Sequence, residues 1–165
     1  MAKVFLLLGS NLGDRELNIS EAERLIEQII GKILKSSLVY ETEPWGIISE
    51  KWFLNKVLIV ETRLKPLSIL KKVKAIEQKL GRKVDLKKYA PRIIDIDILF
   101  IDQMVLELQD FIVPHPLISE RKFTLVPLFE IASGFVHPVS GKSISQLIIE
   151  CKDNLIVKNY NSTYK

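Results

Sequence analysis

The segment Ile93–Ile101 constrains the fold of this 165-residue chain more than any other, because apolar and acidic side chains alternate along it. Successive side chains of a β-strand point to opposite faces, so the alternation predicts a strand with one buried apolar face. The residues predicted on that face are Ile94, Ile96, Ile98 and Phe100. Asp95 and Asp97 then lie side by side on the other face, with Cα atoms roughly 7 Å apart. The chain therefore needs a sheet with a core on one face and two neighbouring carboxylates on the other.

Hydrophobic periodicity and turn residues predict four more strands and four helices. The strands are Val4–Leu8, Ile33–Glu43, Trp52–Arg63 and, at the edge, Leu155–Val157, and the helices are Arg15–Ile30, Pro66–Leu80, Thr124–Ala132 and Ser143–Glu150. Asn11 or Asp14 is expected to cap the first helix. The order β-α-β-β-α-β, followed by further helices, is the ferredoxin-like arrangement. We expect a single domain over 1–165, an α+β sandwich whose mainly antiparallel sheet is covered by helices on one face, with additional C-terminal helices.

Composition excludes several classes of protein. With 47% apolar and 27% charged residues, the chain has the balance of a globular domain, which excludes wholesale disorder and collagen-like repeats. Cys151 is the single cysteine, so an internal disulfide or a multi-cysteine metal site is excluded and a reducing, cytoplasmic location is expected. The net charge of +4 is too small to indicate nucleic-acid binding, and the apolar N-terminal run is too short to span a membrane. We expect a monomer without nucleic-acid or membrane partners.

The paired carboxylates Asp95 and Asp97 repel each other unless a cation lies between them. Mg²⁺ is the expected ion, because it prefers carboxylate, water and phosphate oxygens. A D-x-D pair alone is weak support, since a solvent-facing strand can carry two carboxylates by chance. The flank strengthens the interpretation, because residues 82–92 contain five cations and one acid. A cationic loop that leads into paired carboxylates indicates a site for a metal and a polyphosphate.

Prolines flank His115 in the segment Val113–Pro116, and Arg121 follows six residues later. A proline on each side restricts the backbone, so the imidazole is presented at a set angle. A histidine and an arginine together in such a loop suggest contact with an anion. His137 also precedes a proline but has no such neighbour, and we interpret it as structural.

Asn55 stands inside the predicted strand Trp52–Arg63, where an amide is unfavourable unless its hydrogen bonds are matched. Phe53 lies two residues away on the same face. A ring and an amide at this spacing can stack on a flat heterocycle and bind its edge. Phe123 and Trp45 are candidates for further aromatic walls. The alternative, equally consistent with the sequence, is that the phenylalanine rings are core and that Asn55 bonds a neighbouring loop.

Four blocks together resemble the 6-hydroxymethyl-7,8-dihydropterin pyrophosphokinase family of folate biosynthesis. They are Gly9–Gly13; Tyr40–Gly46 with Phe53–Asn55; Glu77 and Gly81–Arg82 with Pro91–Asp97; and Val113–Pro116 with Arg121–Phe123 and Pro127–Ala132. The P-R-x-x-D-x-D block is highly specific, and the blocks cover nearly the whole chain. The resemblance implies Mg²⁺-dependent transfer of pyrophosphate from ATP to the hydroxymethyl group of the dihydropterin, which leaves AMP.

The resemblance also implies roles for the matching positions. Asp95 and Asp97 correspond to the ligands of two Mg²⁺ ions, and Arg82 and Arg92 correspond to catalytic arginines. The residues implied to contact ATP, the co-substrate, are Glu77, Arg82, Lys88, Arg92, His115 and Arg121. The implied pterin pocket comprises Thr42, acting through its backbone, with Pro44, Trp45, Phe53, Asn55 and Phe123. The chain departs from the family pattern at Val84, Lys88, Tyr89 and Leu117, and a lysine offers a point charge where arginine offers a planar fork.

Two other interpretations of the motifs are weaker. A nucleotidyltransferase also uses D-x-D after a Gly-Ser helix start, but there the two motifs lie close together, whereas Ser10 and Asp95 are more than eighty residues apart. An RNA-binding domain on the same βαββαβ plan needs exposed aromatic residues on a basic sheet face. Carboxylates on that face would repel RNA phosphates. Formation of AMP, and not ADP, in a reaction that needs both the pterin and Mg²⁺ distinguishes the pyrophosphokinase from both.

Overall fold

The computed structural model describes residues 1–47, 49–83 and 91–160 of the chain. Its strands are β1 (Ala2–Ser10), β2 (Lys32–Ser36), β3 (Tyr40–Thr42), β4 (Phe53–Thr62), β5 (Asp95–Ile101), β6 (Leu106–Leu108), β7 (Phe111–Val113) and β8 (Val157–Asn159). Its helices are α1 (Arg15–Ile29), α2 (Pro66–Lys79), α3 (Lys122–Ala132) and α4 (Ile144–Glu150), with a 3₁₀ turn at Ile118–Glu120. Within the described residues, no helix is both long enough and apolar enough to cross a bilayer.

One sheet contains β5, β1, β4, β3 and β8 in that order, and β2 pairs with β4 beside β3. All of these strand pairs are antiparallel. When β2 and β3 are taken as two parts of one strand, the sheet has the predicted ferredoxin-like α+β arrangement, with α3 and α4 as additional helices. The predicted edge strand near the C-terminus is also present, as β8, although it begins two residues later than predicted.

The predicted strand Ile33–Glu43 is interrupted between β2 and β3. Ser37 is buried at the interruption, and its Oγ accepts a hydrogen bond from Val57 N at 3.0 Å. The following residue turns outward, so Leu38 N donates to the carboxylate of Glu130 on α3 at 3.1 Å. Ser37 N still donates to Val57 O at 2.9 Å, but Val57 N and Leu38 N bind side-chain oxygens instead of strand carbonyls, and the strand is divided into two there.

Helices cover both faces of the sheet, so the single covered face predicted from the sequence is wrong. α1 and α2 pack on one face, in a core that includes Leu6, Leu8, Ile26, Leu58, Val73 and Ile96. α3 and α4 pack on the opposite face, in a core that includes Phe5, Leu7, Val57, Ile59, Leu125 and Leu147. The central strands β1 and β4 carry apolar side chains on both faces, and both faces must therefore be removed from water.

A bulge in β5 places Phe100 on the face opposite to the one predicted. Phe5 of β1 pairs with Phe100, but the next residue, Leu6, pairs with Ile98, so β5 has one residue in excess. The two phenylalanine rings pack edge to face at a centroid distance of 5.5 Å within the α3–α4 core. The residues that keep the predicted face are Ile94, Ile96 and Ile98. The two aspartates between them therefore face the α3–α4 side of the sheet.

A short hairpin, β6–β7, follows β5 and is absent from the sequence-based prediction. Each strand has three residues, which is too short for periodicity to be recognised. The predicted loop Val113–Ser119 follows β7, and His115 N donates to Leu99 O at 2.9 Å. This bond attaches the loop to β5 and brings His115 to the edge of the carboxylate face.

Candidate active site

A cavity of about 330 Å³ opens on the α3–α4 side of the sheet, where β1, β3, β4 and β5 contribute side chains. The predicted site residues that line it are Thr42, Trp45, Phe53, Asn55, Arg92, Asp95, Asp97, His115, Arg121 and Phe123. The fold therefore brings the aromatic and amide residues of one part of the chain together with the charged residues of another.

Three predicted site residues among those that the structure describes do not line this cavity. Glu77 and Arg82 line an adjoining cleft of about 410 Å³, which shares its carboxylate wall with the cavity. Pro44 does not line the cavity; the loop contributes its neighbours on each side and Ile47 instead. Lys88 lies outside the described residues, so its proposed contact with ATP stays a prediction.

Aromatic rings and one oriented amide form the half of the cavity next to β3 and β4. Asn55 Nδ2 donates to Thr42 Oγ1 at 2.6 Å, and both residues are buried. The Thr42 hydroxyl thus fixes which way the amide points, a role in addition to the backbone role that the resemblance implied. Phe53 and Phe123 are half-buried beside it and line the cavity. Both rings therefore form part of the cavity wall, and Asn55 bonds Thr42 of the neighbouring strand β3 instead of a loop.

Gly9 is a site residue that the sequence analysis did not single out. In the sheet it pairs with Asn55 on one side and with Asp95 on the other. A Cβ atom at Gly9 would lie 2.9 Å from Asn55 Oδ1 and 3.8 Å from the Phe53 ring. Glycine therefore leaves the space that the Asn55 amide occupies. The signal in the sequence is a glycine inside an otherwise apolar strand, which often marks a close approach.

Arg121 connects the aromatic half of the cavity to the carboxylate half. Its guanidinium carbon lies 4.7 Å from the centroid of Trp45 and 5.5 Å from the centroid of Phe123. Its Nη1 lies 3.7 Å from Asp97 Oδ2. Only 9% of Arg121 is exposed, so both interactions act with little screening by water.

In the carboxylate half, each aspartate lies close to two basic side chains. Asp95 Oδ1 lies 2.9 Å from Arg82 Nη1 and 3.0 Å from Arg92 Nη1. Asp97 Oδ2 lies 4.0 Å from His115 Nε2, on the side where Arg121 also approaches. In this structure each of the two repelling carboxylates is therefore paired with guanidinium groups of its own, Arg82 and Arg92 at Asp95 and Arg121 at Asp97.

Glu77 of α2 binds Arg82 on the side of the guanidinium that faces the helix. It is 5% exposed on α2, its Oε1 accepts a hydrogen bond from Ile96 N at 2.7 Å, and it forms an ion pair with Arg82. Burial and the nearby Asp95 carboxylate raise the pKa of Glu77 to about 7. Glu77 thus connects α2 to the main chain of β5 and to the side chain of Arg82.

Burial also shifts the pKa values of two residues in the cavity. Burial and then the neighbouring Asp95 carboxylate raise the pKa of Asp97 to about 7. Burial and the positive charge of Arg121 lower the pKa of His115 to about 4, so its imidazole is neutral at physiological pH. His115 Nδ1 accepts from Leu117 N at 3.2 Å, which places the proton on Nε2 and leaves that group free to donate to an anion.

The donor atoms of the site fit a hard divalent cation. Asp95 and Asp97 present carboxylate oxygens on one face of β5, and both side chains keep partial access to the cavity. Within residues 1–47, 49–83 and 91–160, no group of three or more histidine, cysteine, aspartate or glutamate side chains could hold a metal. A cation at the two aspartates would therefore complete its coordination with water and phosphate oxygens, which is the preference of Mg²⁺.

Comparison with known sequences identifies similar proteins over most of the chain. A family profile described as 7,8-dihydro-6-hydroxymethylpterin-pyrophosphokinase (HPPK) matches residues 5–133. The 2-amino-4-hydroxy-6-hydroxymethyldihydropteridine pyrophosphokinase of Aquifex aeolicus is 41% identical over 146 residues, which are 88% of this chain and 90% of that protein. The protein of the same name from Porphyromonas gingivalis is 42% identical over 84% of this chain and 95% of its own length. The folic acid synthesis protein fol1 of Pneumocystis carinii is 38% identical over 92% of this chain, which spans only 20% of that longer protein.

Solved structures with a similar fold include longer chains, of which this chain spans less than half. A structure described as HPPK-DHPS in complex with substrates superimposes with a TM-score of 0.73 at 18% identity, over 90% of this chain and 43% of that chain. The wild-type HPPK-DHPS of Plasmodium falciparum with STZ-DHP gives a TM-score of 0.73 at 20% identity, over 90% of this chain and 43% of that chain. At these identities the structural similarity establishes the fold alone.

Proposed function

Because the chain belongs to the 7,8-dihydro-6-hydroxymethylpterin-pyrophosphokinase family, we propose that it transfers pyrophosphate from ATP to 6-hydroxymethyl-7,8-dihydropterin. The products are the pterin diphosphate and AMP, in a step of folate biosynthesis. The observation that carries this proposal is a single cavity with an aromatic and amide pocket at one end and a carboxylate and arginine cluster at the other. A flat heterocycle and a polyphosphate need these two environments side by side.

The pterin ring is proposed to lie in the aromatic half. Phe53 and Phe123 offer ring faces for stacking on a flat heterocycle, and Trp45 offers a third. Asn55, oriented by Thr42, offers an amide to the polar edge of the heterocycle. The hydroxymethyl substituent then lies within reach of the carboxylate half, because the two halves belong to the same cavity.

ATP is proposed to place its phosphates against the cationic and neutral donors of the other half. The described residues in this group are Arg82, Arg92, His115 and Arg121. The adjoining cleft would receive the nucleoside, between Lys74 of α2 and residues 109–112 of the β6–β7 hairpin. Neutral His115 donates through Nε2 without adding a further positive charge to the cluster.

Transfer forms a bond between the pterin hydroxyl oxygen and the β-phosphorus, and it breaks the bond from the β-phosphorus to the oxygen that AMP retains. The hydroxyl oxygen gives up its proton to water in this step. Negative charge redistributes over the phosphate oxygens, so donors that are already in place stabilise the transition state. Arg82 and Arg92 are such donors. Both bind Asp95 in the structure, and a triphosphate competes for them with more negative charge.

Asp95 and Asp97 are proposed to hold Mg²⁺, with two ions as the resemblance implies. Bound Mg²⁺ supplies neutralisation of phosphate charge and polarises the phosphorus–oxygen bonds. The raised pKa of Asp97 supports this assignment, since a partly buried carboxylate beside a second one is stabilised in its ionised form by a cation. The alternative of an RNA-binding sheet is not supported, because α3 and α4 cover much of the sheet face that RNA would need.

The proposal is tested by incubating the protein with ATP, MgCl₂ and the hydroxymethyl dihydropterin and separating the nucleotides by ion-exchange chromatography. We expect AMP and pterin diphosphate in equal amounts, with no reaction when the pterin is omitted or when EDTA is in excess. ADP as the product, or AMP formation without the pterin, would contradict the proposed reaction.

A further inference from the structure

Asn11 lies just past the end of β1 and binds the main chain of Arg92 at two points. Asn11 N donates to Arg92 O at 3.1 Å, and Asn11 Oδ1 accepts from Arg92 N at 2.7 Å. Asn11 is 1% exposed, so water does not compete for its side-chain bond. Both main-chain polar groups of Arg92 are therefore bound by one residue.

The two Asn11 bonds hold Arg92 at a position outside the regular β1–β5 pairing. The β1–β5 ladder ends at the pair formed by Gly9 and Asp95, three residues beyond Arg92. Asn11 continues the attachment to β1 past that end. The main chain of Arg92 is thus connected to the central strand of the sheet through Asn11.

The turn that carries Asn11 is itself attached to α1. Asn18 Nδ2 donates to Ser10 Oγ at 3.1 Å and to Leu12 O at 2.8 Å. Gly13 takes a φ of 67°, which a tight turn requires and glycine allows without strain. The position of Asn11 therefore follows from β1 and α1, both of which belong to the core.

Stability alone does not account for an asparagine at this position. Asn11 Nδ2 is buried and has no hydrogen-bond partner within the described ranges. A buried donor without a partner costs about 1–3 kcal/mol. What Asn11 supplies, and an apolar side chain of similar size cannot, is the acceptor for Arg92 N.

The guanidinium of Arg92 extends from this fixed main chain to the carboxylate cluster, where Nη1 lies 3.0 Å from Asp95 Oδ1. A misplacement of a reacting or stabilising group by about 1 Å can cost about 100-fold in rate. We propose that Asn11 is a positioning residue that sets the main chain of Arg92 so that its guanidinium meets the transferred phosphoryl group. This proposal rests on the proposed function, because the role of Arg92 belongs to that function.

A double-mutant cycle between Asn11→Ala and Arg92→Ala tests the proposal, with kcat and both KM values measured for each variant. Asn11→Ala alone should lower kcat about 10- to 100-fold, while both KM values change less than about threefold. In the Arg92→Ala background the same substitution should change kcat by less than about threefold, because Asn11 acts through Arg92. A purely structural residue would lower kcat by the same factor in both backgrounds.

Thr62→Val is the matched control for the loss of a buried side-chain bond to the main chain. Thr62 is buried at the other end of β4, and its Oγ1 donates to Ile30 O at 2.6 Å and accepts from Leu64 N at 3.1 Å. This variant should lower Tm about as much as Asn11→Ala does and leave kcat within about twofold of wild type.

Asn18→Ala serves as a second variant, since it loosens the turn from a half-buried helix position where alanine is tolerated. Like Asn11→Ala, it should lower kcat. If circular dichroism shows that the Asn11→Ala variant is unfolded, Asn18→Ala takes its place in the cycle. Equal losses in both backgrounds, or an unchanged kcat, overturn the positioning role alone. A wild-type protein that forms no AMP overturns the proposed function and the positioning role with it.

Discussion

The two halves of the cavity are built by different kinds of interaction. In the aromatic half the polar group is bound within the protein, because Asn55 donates to Thr42 and keeps one orientation. In the carboxylate half the charged groups are bound to one another, as Asp95 is to Arg82 and Arg92. The amide of the aromatic half is therefore oriented before a ligand arrives, whereas the arginines of the carboxylate half must exchange partners when phosphate binds.

This difference predicts separable kinetic effects. Changes in the carboxylate half should lower kcat, because its groups act on charge that develops in the transition state. Changes in the aromatic half should raise KM for the pterin, because its groups contact the ring equally in ground state and transition state. Arg121 belongs to both halves and should affect both constants.

The largest effect is expected from Asp97→Asn, which preserves the shape of the side chain but removes the charge that would hold Mg²⁺. Turnover should fall to background, while the free energy of unfolding of the protein without ligands changes by less than about 1 kcal/mol, because the two carboxylates repel each other. AMP formation and thermal unfolding measure the two quantities. Activity within about tenfold of wild type would contradict the metal assignment. Glu107→Gln, which makes the same carboxylate-to-amide change at an exposed position of β6 away from the cavity, is the control that should leave activity unchanged.

Arg121→Lys should give an intermediate effect on both constants. Lysine keeps the positive charge near Asp97 but lacks the planar guanidinium that lies over Trp45 and Phe123. We expect kcat to fall about tenfold and KM for the pterin to rise about tenfold, since each contact of this kind contributes about 1–2 kcal/mol. A variant in which only one constant changes would assign Arg121 to one half of the cavity.

Gly9→Ala should raise KM for the pterin about tenfold with kcat nearly unchanged. The new Cβ would stand 2.9 Å from Asn55 Oδ1, so the amide must move from its orientation. Isothermal titration calorimetry with the pterin measures the loss directly, and KM for ATP should stay constant. Gly134→Ala is the matched control, because nothing lies within 4 Å of the added atom there. Equal binding of the pterin by wild type and Gly9→Ala would show that the Asn55 amide does not contact it.

The smallest effect concerns stability and pH in the absence of ligands. The pKa values of Asp97 and Glu77 are raised to about 7, above their unfolded values of about 4, so these two groups bind more protons in the folded protein than in the unfolded chain between these values. His115, whose pKa is lowered to about 4, binds fewer protons in the folded protein below about pH 6.5 and offsets part of this effect. Stability should therefore rise as pH falls from 8 to 5.5, by about 1–2 kcal/mol, or about 2–8 °C in Tm. Calorimetry at the two pH values measures this difference.

The Asp97→Asn variant should show a smaller gain than wild type over the same pH interval, because one of the two titrating groups is gone. Saturating Mg²⁺ and ATP should also reduce the gain, since a bound cation favours the ionised carboxylate. A gain as large in Asp97→Asn as in wild type would contradict the raised pKa of Asp97.

Local patterns were sufficient for the parts of the molecule that depend on neighbouring residues. The alternation along β5 predicted that Asp95 and Asp97 share a face, and the prolines on both sides of His115 predicted a loop that presents its imidazole. Caps and periodicity predicted α1 and α2 within one or two residues of their observed ends. Side-chain direction and helix termination are decided over a few residues, so the sequence alone contains them.

The sequence by itself therefore determined the helices, the long strands, their order and the chemical types that the site contains, but not the β6–β7 hairpin or the division of the predicted strand into β2 and β3. Only the tertiary structure decided which face of the sheet α3 and α4 cover, where Gly9 makes room for Asn55, and that Asn11 binds Arg92 instead of capping α1. Each of these depends on pairs of residues that are tens of positions apart in the chain. Such pairs leave no periodic signal, because the register between strands and the packing of helices on them are set by the whole core.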